Sequence, residues 1–362
     1  MSTLKVDTLQ HRDGTEYILS ERNKLINGDF SVAQRGTSLT STDSANNDAK
    51  YTLDRWQLFS DGDDIVDVTQ ETTTVPTNQL YAIALDVETA NKKFGIAQKI
   101  EQKNCVDLIG QEVTLSFKAK VSSTTNLDNV KCAIISWTGT ADTLTDDIVD
   151  TTNWNAEGTD PTLATNYTYE NTPANLNLTT SYATYTTTAT IDTSGAKNVV
   201  VFIWSDVTTT SAGEFLYITD VQLEKGPSNS IFERKSFRQQ LTDCQRYYFK
   251  LERDEAATPT VPPYNHATYV GPVGQYGSTT NAVVGIYLPT PQRAQSTISY
   301  NRVDCVTVDN GTSRTSTNAF SYGDGNGLFP TLIFTTSSTS AGSTARVFFR
   351  ADGDKVEFDS EL

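Results

Sequence analysis

Apolar and polar residues alternate along several stretches of the chain in the way that predicts β-strands. The clearest is EVTLSFKAKV at 112–121, where every second residue from Val113 to Val121 is apolar. Alternation of this kind places the apolar side chains on one face of a strand. Further strand-like runs, separated by turns rich in Gly and Asn, lie at 81–87, 94–101, 130–137, 183–191 and 198–207. Short strands at this spacing predict an all-β fold with an antiparallel β-sandwich over residues 25–233.

The run FLYITDVQLEKG at 215–226 also predicts a strand, but Asp220 lies in its middle, where the alternation slips. Such a slip allows two interpretations. The carboxylate could be a hard oxygen ligand for a metal ion, or it could accept hydrogen bonds at a bend in the strand. The strand is expected to stop at Gly226 and Pro227, which end the first domain.

Beyond Pro227 the pattern predicts a short helix and then a second domain. Ser236 and Gln239 have the spacing of a capping box, which predicts a helix at about 237–243 within a linker at 234–243. The apolar runs from 244 to 362 are again short, so this part is expected to be a β-rich C-terminal domain.

The N-terminal residues 1–24 are expected to attach the chain to a neighbour. Two strand-like runs in 3–19 flank Asp13 and Gly14, a strong hairpin turn signal. A lone hairpin is not stable in water, so this hairpin or extended segment must borrow another domain, another copy of the chain or a docking site.

Charge and composition exclude several classes of partner. The 362 residues carry a net charge of −16, so nucleic acid is not an expected partner, because phosphate binding needs clustered Lys and Arg. The longest aliphatic run, 199–204, is too short to span a bilayer, so no membrane insertion is expected. The sequence also has no G-x-S-x-G, H-E-x-x-H or P-loop motif, and an enzyme is not expected.

Two aromatic groups are candidate contact residues for a receptor or glycan. The polar stretch 138–181 carries Trp154, Tyr167 and Tyr169, whose rings could stack on sugars or could instead fix the loop to the sandwich. The Gly-, Pro- and Tyr-rich stretch 262–278 carries the second group, Tyr264, Tyr269 and Tyr276. Tyrosine is a preferred contact residue on binding loops, although contacts inside an oligomer explain this group equally well.

Four stretches together resemble bacteriophage tail fibre and receptor-binding proteins, and the opening MSTLKVDTLQ resembles fibres of phages that infect marine bacteria, including cyanophages. The stretches are NKLINGDFSVAQRGTS at 23–38, YTLDRW at 51–56, GQEVTLSFKAK at 110–120 and YITDVQLEKGPSNSIFERKSFRQQLTDCQRYY at 217–248. The resemblance implies a homotrimer on the virion tail, docked to other tail proteins through residues 1–24.

The first domain also resembles the jelly-roll domains of carbohydrate-binding modules. In those domains a first-strand N-G-x-F and a last-strand Asp often share a structural calcium ion. The matching positions here are 27–30, including Asp29, and Asp220, although Ser31 stands where the family usually has an acid. The resemblance therefore implies a possible calcium site at Asp29 and Asp220, and no other cofactor.

The expected function is host attachment by binding a surface glycan or another receptor, with most of the recognition in the distal domain at 244–362. Three copies would turn weak sugar contacts into useful avidity. Two alternatives remain: a surface-polysaccharide depolymerase, which would be an enzyme, and a head fibre or capsid decoration protein.

Overall fold

The computed structural model describes residues 21–252 and, beyond them, 268–269, 274–276, 281–285, 288–300, 304–308, 314–316, 320–323, 331–335, 344–349 and 355–362. These residues form two compact units. The first contains 21–31, Gly36–Ser236 and Leu362, and the second contains Val32–Arg35 and the described residues of Phe237–Glu361. The hairpin predicted at 3–19 lies outside the described residues. The attachment role of 1–24 and the domain boundaries at 25–233, 234–243 and 244–362 stay predictions.

The described part of the first unit is built from β1 to β11. These strands are β1 (Ser38–Leu39), β2 (Gln57–Ser60), β3 (Val66–Glu71), β4 (Ala82–Val87), β5 (Phe94–Ile100), β6 (Glu112–Val121), β7 (Val130–Trp137), β8 (Tyr167–Tyr169), β9 (Ala183–Thr190), β10 (Asn198–Ser205) and β11 (Phe215–Lys225). The short helix α1 (Gln102–Cys105) and two 3₁₀ turns, Thr42–Ser44 and Val106–Leu108, connect some of them. The strands predicted from alternation agree with these bounds to within a residue or two.

The strands form two antiparallel sheets with jelly-roll connectivity. One sheet has six strands in the order β1-β3-β4-β11-β6-β9, and the other has five in the order β2-β5-β10-β7-β8. From β4 to β7, and again from β8 to β11, each strand lies in the sheet opposite to the one before it. As a result β10 enters between β5 and β7, and β11 enters between β4 and β6. The predicted fold class, an all-β jelly-roll sandwich followed by a β-rich unit, is confirmed.

The core lies between the two sheets and follows the alternation of β6. Its five apolar residues, from Val113 to Val121, are at most 1% exposed. Each fully buried side chain of this kind contributes roughly 1.5–3 kcal/mol to folding through the hydrophobic effect. The polar residues between them include Lys118, whose side chain is 36% exposed.

A β-bulge in β11 explains why the alternation slips at Asp220. The register of β11 against β6 shifts between Thr219 and Gln222. Asp220 has a φ of +53°, in the left-handed region where Asp and Asn are tolerated better than most residues. Within the bulge, the backbone N–H of Val221 donates to the carbonyl of Gly28 at 2.9 Å. The acid therefore occupies a bend in the strand, which agrees with the second of the two interpretations of the sequence.

The N-G-D-F stretch at 27–30 forms the tight turn that meets this bulge. The N–H of Phe30 donates to the carbonyl of Asn27 at 3.1 Å. The indole N–H of Trp56 donates to the same carbonyl at 2.9 Å. The Phe30 ring is fully buried and lies 5.2 Å from the Trp56 ring. The turn is thus fixed by one buried carbonyl and one buried aromatic pair.

The described part of the second unit is also β-rich, and it begins with helix α2 (Phe237–Gln245), close to the helix predicted at 237–243. Its described strands are β12 (Tyr248–Glu252), β13 (Thr268–Tyr269), β14 (Gly274–Tyr276), β15 (Asn281–Gly285), β16 (Thr297–Tyr300), β17 (Asp304–Val308), β18 (Arg314–Ser316), β19 (Phe320–Gly323), β20 (Thr331–Thr335), β21 (Thr344–Phe349) and β22 (Lys355–Asp359). A three-stranded sheet has the order β12-β22-β16, and the remaining strands form a larger sheet in which β13 pairs with β21.

Val32–Arg35 belong to this second unit although they come early in the chain. The guanidinium of Arg35 lies 3.7 Å from the centre of the Tyr248 ring and 3.1 Å from a carboxylate oxygen of Asp359. The side-chain amide of Gln34 donates to the Tyr248 carbonyl at 2.9 Å. Stacking combined with an ion pair is a favourable arrangement for arginine.

In the described part of the chain, no helix is both long and apolar enough to cross a membrane.

We predict that Gly28→Ala destabilises the first unit. A Cβ at Gly28 would lie 2.1 Å from the carbonyl oxygen of Val221, which is a backbone atom and cannot rotate away. Overpacking of this kind typically costs about 1–3 kcal/mol. Thermal denaturation of the full chain should therefore show a lower melting temperature. Gly285→Ala is the control, because the same added methyl group meets nothing within 4 Å. Equal melting of the two variants would contradict the close approach.

Candidate functional site

A cavity of about 500 Å³ lies beside the six-stranded sheet, at the bulge of β11. It is lined by Gln79, Ser116, Phe117, Lys118, Thr184, Asp220, Asn229, Ser230, Ile231, Phe232 and Arg234. We call it the Asp220 cavity. Its wall comes from β6, β9 and β11, from Gln79 three residues before β4, and from the segment 229–234 that follows β11. All of these residues belong to the first unit.

Asp220 is the buried acid of this cavity, and only one of its carboxylate oxygens is satisfied. The residue is 4% exposed. Its Oδ2 accepts from the ammonium of Lys118 at 2.9 Å and also from the side-chain amide of Gln79. Its Oδ1 is buried and has no hydrogen-bond partner among the residues that the structure describes.

The segment 229–234 is held against the sheet by polar contacts and closes the cavity. The carboxylate of Glu224 accepts from the N–H of Ser230 at 2.7 Å and from its hydroxyl at 2.6 Å. The N–H of Glu233 donates to the side-chain carbonyl of Gln222 at 2.8 Å. The guanidinium of Arg234 donates to the carbonyl of Asn78 at 3.0 Å. These contacts fix Phe232 and its neighbours as a wall of defined shape.

The structure places Asp29 and Asp220 in different environments. The Asp29 carboxylate accepts from the hydroxyl of Ser31 at 2.9 Å, whereas the Asp220 carboxylate pairs with Lys118. No group of three or more His, Cys, Asp or Glu side chains that could hold a metal ion occurs among the residues that the structure describes. The calcium ion implied by the resemblance is not tested by these contacts and stays a prediction.

Tyr167 and Tyr169 were expected in the 138–181 loop but lie in β8 of the five-stranded sheet, whereas Trp154 does lie in a loop that packs against this sheet. The Tyr167 ring lies 4.7 Å from that of Trp137, and the Tyr169 ring lies 6.4 Å from that of Trp204. Trp154 is half-buried, with its ring 5.9 Å from that of Phe202. The hydroxyl groups of both tyrosines also donate to loop carbonyls at 2.9 Å. All three residues therefore help to fix the loop, and their predicted role in glycan binding is not tested.

Buried ionic contacts also hold residues 138–166 on the five-stranded sheet. We call this segment the covering loop. The carboxylate of Asp206, which is fully buried, contacts the ammonium of Lys93 and lies 3.0 Å from that of Lys131. Lys131 also lies 2.8 Å from Asp160 of the loop. The backbone N–H of Gly158 donates to Asp206 at 2.8 Å. A buried charge is tolerated only with such partners, so the loop completes a network that the sheet begins.

Lys99 is a further buried attachment point of the covering loop. Its ammonium donates to the carbonyls of Thr145, Asp146 and Leu362 at 3.0, 2.9 and 3.2 Å. Burial lowers the pKa of Lys99 from near 10.5 to about 7, against the opposing effect of Asp146 and Asp147 and with a small contribution from Arg55. Desolvation disfavours the charged form of a lysine, and the carboxylates of Asp146 and Asp147 compensate only in part.

The second predicted group of contact residues is described only in part. Tyr264 lies outside the described residues. Tyr269 and Tyr276 each end a short strand, β13 (Thr268–Tyr269) and β14 (Gly274–Tyr276), of the larger sheet in the second unit. Both residues were expected on a loop, because the Gly and Pro residues around them do not predict strands. Their predicted role as contact residues is not tested by this placement.

Comparisons with known proteins place the chain among distant structural neighbours. No family model and no curated protein matches it. A domain of tailspike protein 4 of bacteriophage CBA120 aligns over 59% of this chain and 23% of its own, with 15% identity and a TM-score of 0.34. The module TmCBM61, solved with β-1,4-galactotriose, aligns over 57% of this chain and 99% of its own, with 14% identity and a TM-score of 0.32. A putative sugar binding protein from Bacteroides thetaiotaomicron aligns over 56% of this chain and 100% of its own, with 16% identity and a TM-score of 0.34. The chain thus spans less than a quarter of the tailspike domain. Structural similarities this distant do not indicate the function of the chain.

We predict that Lys99 makes the folded state more stable as the pH rises from about 7 to about 8.5. In this range the unfolded chain keeps a proton on Lys99 that the folded chain has released, so the free energy of unfolding increases with pH. The slope from this one group is at most roughly 1.4 kcal/mol per pH unit. Urea unfolding of the full chain at several pH values measures it.

Lys99→Met should remove this part of the slope, because the variant has no group to titrate. Lys50→Met is the matched control, since Lys50 is exposed and its loss should leave the slope unchanged. Free thiols ionise at about 8.5 and add a slope of opposite sign as that pH is approached, so each variant is compared with the unchanged protein at the same pH, where this slope cancels. An unchanged slope in Lys99→Met would contradict the prediction.

Proposed function

We propose that this protein is a virion adhesin, a phage tail fibre protein that attaches to the host by binding a surface glycan without cleaving it. The observation that carries the proposal is the composition of the Asp220 cavity. Its volume of about 500 Å³ falls within the range of small-molecule sites, about 300–1,000 Å³, and accommodates one or two sugar rings.

The lining suits a sugar because it combines hydrogen-bonding groups with apolar surface. Ser116, Thr184 and Asn229 supply hydroxyl and amide groups, and Ile231 and Phe232 supply apolar area. A pyranose ring has polar hydroxyl groups at its edge and an apolar face of C–H groups, so it needs both kinds of contact. Aromatic rings are the usual support for that apolar face.

The same lining supports binding without hydrolysis. Glycosidases ordinarily use two carboxylates, about 5 to 9.5 Å apart, on either side of the scissile bond. Among the described residues that line the cavity, Asp220 is the one acid, and it is paired with Lys118. A single paired carboxylate can accept a hydrogen bond from a hydroxyl group, but it cannot provide both an acid and a base.

The rest of the proposal concerns assembly. A homotrimer would present three copies of the site, and weak binding at each copy would then give useful avidity at a cell surface. Residues 1–24 would dock on other tail proteins, and Tyr264, Tyr269 and Tyr276 in the second unit would add contacts to the receptor. The resemblance of the four sequence stretches to tail fibres supports this arrangement.

The proposal predicts that the full chain binds at least one bacterial surface polysaccharide and releases no new reducing ends from it. Binding on an array of purified capsular polysaccharides and lipopolysaccharides measures the first part, and a reducing-end assay on the bound polysaccharides measures the second. Periodate-treated polysaccharide is the control, because oxidation destroys the sugar rings and should abolish binding.

Two results would contradict the proposal. Failure to bind any polysaccharide on an array that covers the intended hosts would oppose a glycan-binding role. Newly formed reducing ends would favour the alternative function, a surface-polysaccharide depolymerase. Antibody labelling of intact virions separates a tail location from a head fibre or decoration protein.

A further inference from the structure

We infer that the Asp220 cavity is selective for a sugar that carries a methyl group, and that Ile231 is the side chain that recognises this group. Both 6-deoxyhexoses and N-acetylated hexoses carry such a methyl group, at different positions of the ring. This inference rests on the proposed function and names the class of sugar and the residue that selects it. No glycan-contacting role was expected for Ile231 from the sequence.

The first step of the argument is the exposure of Ile231. Among the residues that the structure describes, the large apolar side chains that are exposed are Leu80, Val106, Ile231 and Phe237. Ile231 lines the cavity and is 65% exposed, and Leu80, which is 72% exposed, directly follows Gln79 of the lining. A single exposed apolar residue is normal on a protein surface. Two of them at or next to the lining of one cavity, together with the half-buried Phe232, form an apolar patch that a ligand would contact.

The second step is that the fold holds Ile231 through its backbone and not through burial of its side chain. The guanidinium of Arg22 donates to the Ile231 carbonyl at 3.1 Å. On either side of it, the backbone N–H groups of Ser230 and Glu233 donate to side chains of β11 at 2.7 and 2.8 Å. The side chain is therefore held at a fixed position although water covers most of it. A ligand that displaces this water gains the hydrophobic effect at little cost in ordering.

The third step is that the polar side chains on either side of Ile231 and Phe232 already have partners within the protein. The hydroxyl of Ser230 both donates and accepts there, at 2.6 and 3.2 Å. The carboxylate of Glu233 accepts from the N–H of Asn23 at 2.8 Å. A hydroxymethyl group placed against Ile231 would lose hydrogen bonds to water without replacing them, whereas a methyl group has none to lose.

The fourth step assigns the two apolar side chains to different parts of the sugar. An aromatic ring supports the flat C–H face of a pyranose, and Phe232 provides such a ring. Ile231 is aliphatic and branched, so it packs against a compact group and not against a flat face. The sheet side of the cavity supplies the hydroxyl groups of Ser116 and Thr184. A sugar that uses all of these contacts directs its hydroxyl groups to the sheet and its methyl group to Ile231.

The test uses Ile231→Thr in the full chain. Threonine keeps the branched Cβ but replaces apolar surface with a hydroxyl group, and folding should be unaffected because position 231 is exposed. Val106→Thr is the matched control, because Val106 is also exposed, at 60%, and does not line the cavity. A thermal melt of each variant separates lost selectivity from lost folding.

The probes are pairs of sugars that differ at one methyl group. L-rhamnose and L-mannose, and likewise L-fucose and L-galactose, differ by a methyl against a hydroxymethyl group. N-acetylglucosamine and N-formylglucosamine differ by the methyl of the acetyl group. The pair that responds therefore shows whether the methyl group belongs to a 6-deoxyhexose or to an N-acetylated hexose.

Titrations followed by NMR should show that the methyl-bearing member of at least one pair binds at least about threefold more tightly, because burial of one methyl-sized group contributes a factor of about four to affinity. In Ile231→Thr the two members of that pair should bind almost equally. Val106→Thr should keep the preference of the unchanged protein.

Several outcomes would overturn the inference while leaving the proposed function intact. Equal affinities within every pair, or no measurable binding of any of these sugars, would refute the class of ligand. A preference that persists in Ile231→Thr would refute the role of this residue. Binding of Ile231→Thr to the polysaccharides of the array without any loss would place the glycan elsewhere on the chain. Failure of the unchanged protein to bind any polysaccharide on that array would instead contradict the proposed function itself.

Discussion

The backbone contact between Gly28 and Val221 determines the geometry of the cavity side of the sandwich. The Val221 N–H donates to the Gly28 carbonyl at 2.9 Å, and the two backbones approach so closely that even a Cβ on Gly28 would overlap the Val221 carbonyl oxygen. Because Val221 bonds to the 27–30 turn, the ladder between β11 and β6 is interrupted there. The bulge follows from this interruption, and Asp220 takes up the positive φ that the bulge requires. One requirement for a small residue in an early turn therefore sets the position of an acid nearly 200 residues later.

Much of the fold could be predicted from the sequence, because burial on one face of a sheet imposes alternation. The bounds of β6 and β7 agree with the apolar pattern, and the slip at Asp220 indicated an irregularity that the bulge explains. The partners of Asp220 were not predictable. Lys118 faces it only because Thr219 pairs with Lys118 just before the register shifts, and this register is a tertiary property. The 229–234 wall likewise depends on contacts such as Ser230 with Glu224, which have no periodic signal.

The aromatic residues of the long loop show a different limit. Trp154, Tyr167 and Tyr169 have the composition of a sugar-binding surface, yet composition alone does not show which side of a ring is already occupied. In the structure the rings lie against the sheet residues Trp137, Phe202 and Trp204. A signal was available in the sheet itself, because Lys99 and Lys131 interrupt otherwise apolar strands and Lys93 directly precedes one. Buried lysines need partners, and a polar covering segment is the natural source of them.

The two sheets of the first unit therefore differ in what a ligand would have to displace. On the five-stranded sheet, a sugar could reach the aromatic rings only after the covering loop had left. Its departure would take away hydrogen bonds such as that from Gly158 to the buried carboxylate of Asp206. The ligand would have to compensate for charges that the protein already satisfies. At the Asp220 cavity no covering loop has to leave, because the lining residues already border a space of about 500 Å³. A ligand that enters this space has no buried ion pair to break, and this difference favours the six-stranded side of the sandwich as the binding surface of the first unit.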